Sequence, residues 1–151
     1  MQGCDFCEGD GGTVLFRNEQ YRVVAVGGED GALYPGFCRV VWNTHVREMT
    51  DLADADRAVF MAAVYRLERV LRETLRPVKI NLASLGNVTP HLHWHVIPRQ
   101  ADDAAYPKPV WALAPGSATP ATMKGDNKRT ADSIDWQTAV TGVFVTGSAA
   151  S

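Results

Sequence analysis

The stretch His91-Leu92-His93-Trp94-His95-Val96-Ile97 sets imidazoles and apolar side chains in strict alternation. On a β-strand, residues two and four apart project from the same face, with about 7 Å between alternate Cα atoms. His91, His93 and His95 therefore share one surface, and Leu92, Trp94 and Val96 supply a core-facing row on the other. The chain has 4 histidines, and three of them fall in this stretch. A single histidine would read as an ordinary satisfied core or surface residue. Three in alternation, interleaved with core residues and far from either terminus, read as a functional row.

Outward from this strand the chain alternates little and segregates much. Just upstream, Ser84 to Pro90 is a polar loop marked by Gly86 and Pro90, and Lys79 to Leu82 is a strand before it. Between Asp54 and Arg76, Val59, Phe60, Ala63, Val64, Leu67, Val70 and Leu71 recur at three- and four-residue steps, which predicts one long amphipathic helix. Asp54 reads as its N-cap, and Pro77 ends it. Earlier still, Thr13 to Arg17 and Tyr21 to Val26 read as a hairpin, Gly27 to Gly31 as a loop, and Phe37 to Trp42 as a third strand. Strands, one long helix, then strands argue for α+β with an antiparallel sheet rather than βαβ units.

With 151 residues and 46% hydrophobic content, the chain suits one domain with a real core. We place that domain at residues 1–115, with an extended arm over 102–115 in which Tyr106 and Trp111 either touch a substrate base or, the favoured reading, pack as anchors. Residues 116–151 read as a mobile or loosely docked tail, with a short docked element within 132–145. A formal net charge of -2 gives no reason to expect a nucleic-acid duplex as partner. No run approaches the roughly 18 apolar residues of a membrane span, and the start of the chain lacks a secretory signal, so the expected setting is the cytoplasm. There the 3 cysteines, Cys4, Cys7 and Cys38, point to metal binding or burial rather than disulfides.

Two chemistries suit the histidine row. Histidines two apart on a strand can bind a catalytic zinc, but such a site needs a further ligand that the neighbouring sequence does not obviously supply. Alternatively, one neutral imidazole is a nucleophile toward phosphorus, its other nitrogen donating to a fixed acceptor that sets the tautomer. The flanking histidines then hold phosphate oxygens and the leaving group, and the Gly86-Asn87-Val88-Thr89 loop offers donors to the anion. The nucleophilic reading is favoured.

His91 to Ile97 fits the pattern His-φ-His-φ-His-φ-φ, with φ hydrophobic, and so resembles the histidine triad (HIT) family. The likeness extends over roughly residues 4–99, through Cys4-Asp5-Phe6-Cys7, Tyr34-Pro35-Gly36, the long helix and Gly86-Asn87. It implies a HIT-like fold, with a sheet of about five antiparallel strands, one long helix and a short one, and a homodimer with a joined sheet. It implies His93 as a nucleophile forming a nucleotidyl-histidine, His95 on the phosphate, and His91 acting through its backbone carbonyl. Asn87, Asn81, Gly86 and Thr89 become the expected substrate-binding residues. The implied activity is a nucleotide hydrolase or nucleotidyl transferase, acting on a purine nucleotide or dinucleotide with no catalytic cofactor. A nucleotide-binding module of the same fold, with little catalysis, is the alternative. Some relatives in the superfamily hold zinc through a cysteine pair and two histidines; the matching set is Cys4, Cys7, His45 and His91, a structural zinc site. Phe37 stands where many members carry a nucleotide-contacting histidine, and the loop before the row is shorter than the Gly-Gln-Ser/Thr type.

Overall fold

The structure, a computed structural model, describes residues 1–112 and 135–147. Five strands form one antiparallel sheet: β1 (Thr13–Arg17), β2 (Tyr21–Ala25), β3 (Cys38–Trp42), β4 (Lys79–Ala83) and β5 (His93–Arg99), in the order β1-β2-β3-β5-β4. Among the described residues there are also two short helices, α1 (Asp5–Glu8) and α2 (Gly28–Leu33), the long α3 (Asp54–Leu75), and α4 (Trp136–Thr146). The histidine strand β5 lies inside the sheet, between β3 and β4. In register, Arg39 faces His95, Val41 faces His93, and Ala83 faces His95 from the other side.

The two faces of the sheet have separate fates. Cys38, Val40 and Trp42 of β3 and Val96 of β5 join Phe60, Val64, Leu67 and Leu71 of α3 in the main core. Each such fully buried side chain contributes about 1.5–3 kcal/mol. On the opposite face stand Arg22, Val24, Arg39, Val41, His93, His95 and Arg99, covered in part by the N-terminal segment and by the arm after β5. Alternation along β5 thus drives apolar burial on one side and presents histidines on the other.

Several boundaries differ from the sequence reading for local reasons. Asp54 is the first residue of α3 rather than its N-cap, which is Ala53; Asp54 and Asp56 instead face the positive end of the helix dipole. Val59 is exposed, one step off the buried stripe. The predicted loop at Gly27 to Gly31 is occupied by α2, whose Gly31 packs so close to Val26 that a Cβ would lie 2.2 Å from its carbonyl oxygen. Gly31 is there for close approach, not to break a helix. Gly36, at φ 86, has the same role at the entry to β3, where a Cβ would meet Leu75 at 2.3 Å.

Part of the 116–151 segment is well anchored. Val140 and Phe144 of α4 are fully buried in the main core, and Thr141 Oγ1 donates to Leu15 O at 3.1 Å. Residues 113–134 and 148–151 lie outside the described residues, and with them most of the predicted tail. After β5, Arg99 grips Asp103 through two parallel bonds of 2.7 and 2.8 Å, which folds the arm back against the sheet. No helix among the described residues is long and apolar enough to cross a membrane.

Candidate active site and metal cluster

His91, His93 and His95 are 1%, 5% and 7% exposed, and one relay of hydrogen bonds runs through them. His91 Nε2–H donates to Trp42 O at 2.6 Å, and His93 Nδ1–H donates to His91 O at 2.6 Å. Those carbonyls fix both tautomers. The Nε2 atom of neutral His93 is then a lone pair, and His95 Nε2 lies 3.0 Å from it as the donor. In that arrangement His95 Nδ1 carries no proton, and it has no partner among the described residues. Burial, with the charge of Arg39 also acting, holds the His93 imidazole below its ordinary range. Burial, then His93 and Arg39, pushes His95 down to about 3. Both rings are neutral at pH 7, the state in which an imidazole nitrogen attacks.

His93 and His95 open onto a cleft of about 560 Å³ walled by Phe6, Arg39, the Gly86–Thr89 loop and Trp111. The loop is tied at both ends: Ser84 Oγ donates to His93 O at 2.9 Å, and Thr89 Oγ1 donates to Asp5 Oδ2 at 2.7 Å. Gly86, Asn87 and Thr89 thus lie in one cleft with the two histidines. Asn81 does not join them. Its Oδ1 accepts from Arg99 Nη1 at 2.8 Å, and it lines a neighbouring groove along β4.

Two cleft residues are not picked as functional groups by the sequence reading. Trp111, favoured as a packing anchor, sits edge-on to His95 with ring centroids 5.3 Å apart and remains half exposed. Its placement depends on the Arg99–Asp103 clip, which sequence spacing does not announce. Arg39 had a signal: it is the one charge inside the apolar run Phe37 to Trp42. Tyr106, by contrast, packs on Arg99 and does not border the cleft.

His91 has its imidazole turned toward a second cluster. Its Nδ1 lies 3.4 Å from Cys4 Sγ and 3.6 Å from Cys7 Sγ, and His45 Nδ1 lies 3.4 Å from Cys7 Sγ. The four ligand atoms all fall within 4.8 Å of one another. Around a tetrahedral zinc, sulfur and nitrogen ligands sit about 3.6 Å apart, given bonds of about 2.3 and 2.1 Å. The donor set therefore fits such an ion. The Nε2–H bond to Trp42 supplies the outer-shell contact that orients a metal-ligating histidine. Arg22 braces the knuckle by donating to Phe6 O at 2.7 Å. Cys38 is fully enclosed, and burial pushes its thiol well up, so it behaves as an apolar core residue.

Fold and site together define a class: an α+β protein in which His93 and His95, on the interior strand β5, face a cleft while His91, just before it, faces a thiol cluster. A family model for the HIT domain matches residues 13–102, and the chain belongs to that family. A histidine triad protein from Bradyrhizobium japonicum is 31% identical, with a TM-score of 0.63, over 70% of this chain and 76% of that one. A zinc-bound histidine triad family protein from Mycobacterium smegmatis shares the fold, at 19% identity and a TM-score of 0.60, over 95% of this chain and 97% of that one. The AP-4-A phosphorylase of Mycobacterium tuberculosis is 37% identical over 78 residues, 48% of this chain. That match spans 40% of the mycobacterial protein's length.

Proposed function

We propose that the chain is a nucleotide hydrolase or nucleotidyl transferase that cleaves a phosphoanhydride or phosphoramidate bond at the α-phosphate through a nucleotidyl-His93 intermediate. The observation that carries this reading is the His93 Nδ1–H bond to His91 O, which leaves Nε2 of a cleft-lining residue as a lone pair, met by His95 Nε2 until substrate arrives. As substrate enters, His95 Nε2–H turns from His93 to a phosphoryl or leaving-group atom. The P–N bond to His93 forms as the bond to the leaving group breaks. A phosphoanhydride leaving group departs as an anion and needs no proton. A phosphoramidate nitrogen takes a proton from water in the open cleft and leaves as the neutral amine, while His95 Nε2–H holds a phosphoryl oxygen. Water then attacks the same phosphorus, the P–N bond breaks, and its electron pair returns to His93 Nε2.

An inorganic phosphate in place of that water would make the second step a phosphorolysis, and the partial likeness to a protein named AP-4-A phosphorylase supports a nucleotide polyphosphate among the substrates. Gly86, Asn87 and Thr89 are the substrate-binding residues of this reading, on a purine nucleotide or dinucleotide. Cys4, Cys7, His45 and His91 would hold a structural zinc, and four protein ligands would leave no open position for water; a zinc-bound protein of the same fold supports this reading. A homodimer with a joined sheet would use one of the two edge strands, β1 or β4.

His93→Ala should abolish turnover of dinucleoside polyphosphates and adenosine phosphoramidates, and mass spectrometry of the quenched wild-type protein should find an adenylyl group on His93. Full activity in the variant overturns the mechanism. Nucleotide binding with neither turnover nor adduct would instead make the protein a binding module.

A further inference from the structure

Four arginines stand on the site face of the sheet; Arg17, on the edge strand, is half exposed and pairs with Asp10, and of the other three only Arg39 has donors to give away. Arg99 is fully occupied by Asp103, Asn81 and the Lys108 carbonyl. Arg22 donates to the carbonyls of Phe6, Gly9 and Asp10 and to Asn43. Arg39 makes a single bond, from Nη1 to Gly11 O at 2.9 Å. Its Nε is shut from solvent and unpartnered, and among the described residues no carboxylate pairs with it.

Position makes this surplus meaningful. Arg39 lies directly across the ladder from His95 and walls the cleft into which His93 and His95 open. The rings of Phe37 and Phe6, 5.6 and 5.9 Å from the guanidinium carbon, hold its plane. With one Nη1–H committed and Nε enclosed, the donors that can meet a ligand are the second Nη1–H and Nη2, the end-on pair of the guanidinium. The buried polar atoms without a partner, among the described residues, are Arg39 Nε and His95 Nδ1, on facing residues of one ladder. Unpartnered buried groups of this kind call for an explanation, and a role in the site's chemistry is one. The acidic side chain on the cleft, Asp5, accepts from Thr89 in the loop, which leaves Arg39 the one cationic side chain among the described lining residues.

We propose that Arg39 grips the non-bridging oxygens of the substrate's α-phosphate, turning the cleft in front of His93 and His95 into a phosphate site. This rests on the nucleotide reading above and adds the residue that would meet the charge. A fork on two equatorial oxygens orients phosphorus toward His93 and strengthens as charge builds there during attack. It also places the anion-binding function on β3, a strand the triad motif does not include.

The test compares AMP with adenosine as ligands of the full chain, by calorimetry, in wild type, Arg39→Met and Arg39→Lys. Arg39→Met keeps most of the stem and its packing on the two rings. It should weaken AMP by about tenfold or more, the scale of a lost charge-assisted bond, while adenosine binds as before. Arg39→Lys, which keeps the charge and loses the fork, should fall between. Unchanged AMP binding in both variants overturns the assignment. Equal loss for AMP and adenosine, accompanied by a lowered Tm, also overturns it and makes Arg39 a brace for Gly11. A wild-type protein that binds neither ligand fails the nucleotide reading itself, which separates that failure from this one.

Discussion

Asp103 shows how one buried side chain decides the shape of a site it does not touch. Burial pushes its carboxyl up, but the Arg99 guanidinium and the N–H groups of Ala105 and Tyr106 outweigh this and hold it below the usual carboxylate range. The unfolded chain therefore binds the proton more readily, and the stability this group supplies is complete above its unfolded pKa of about 3.9. It is lost as pH falls through the lower folded value. Asp103→Asn leaves Arg99 buried without its counter-charge and should cost about 3–5 kcal/mol at pH 7. In thermal melts the gap between wild type and this variant should narrow below about pH 4; a gap constant down to pH 2 would contradict the role given to the carboxylate. The arm that bears Trp111 hangs on this clip, so the variant should also raise KM more than it lowers kcat.

Among the elements, β5 and α3 were legible because their signals are local. Period two along His91 to Ile97 and steps of three and four through α3 are properties of neighbouring residues. The elements that escaped depend on distant partners. Gly28 and Gly31 read as loop residues, but α2 exists because Leu33 packs with Phe37, Ile97 and Ala105. Trp136 to Thr146 is rich in Val and Thr and hardly advertises a helix, yet Asp135 caps it by accepting from Thr138 N at 3.0 Å, and the core takes up Val140 and Phe144. Within the site the same division holds. The histidines were read directly, whereas the approach of Arg39 to His95 depends on a ladder register that a single strand does not carry. Phe144→Ala should destabilise by about 3–5 kcal/mol, since the ring is fully enclosed and Arg66 lies over it. Because α4 packs on α3 and β1, away from the cleft, kcat/KM measured well below Tm should stay within about twofold of wild type. A large loss of activity there would show that α4 supports the site.

Across the whole molecule, the thiol cluster and the cleft histidines meet in a single residue. The His91 imidazole turns to Cys4 and Cys7, while its carbonyl accepts from His93 Nδ1–H at 2.6 Å. Phe6, between the two cysteines, adds a second link: its ring lies 4.7 Å from that of His93. The Asp5–Thr89 bond adds a third, to the loop on the far side of the cleft. If Cys4, Cys7, His45 and His91 hold zinc, losing it frees the ring that orients the His91 carbonyl and loosens the knuckle that walls the cleft. Cys4→Ser should then abolish stoichiometric metal in purified protein, lower Tm, and reduce kcat by about tenfold, the scale of outer-shell disturbance at metal sites. KM should change less, because the backbone of Arg39 is fixed in β3 and Trp111 is carried by the arm after β5, neither of which the cysteines hold. Metal analysis reads the first effect and melts the second, neither needing the substrate to be known. Protein purified without added zinc that contains no metal, together with an unshifted Tm in Cys4→Ser, would sink the zinc site and leave His91 an ordinary buried histidine between two free thiols.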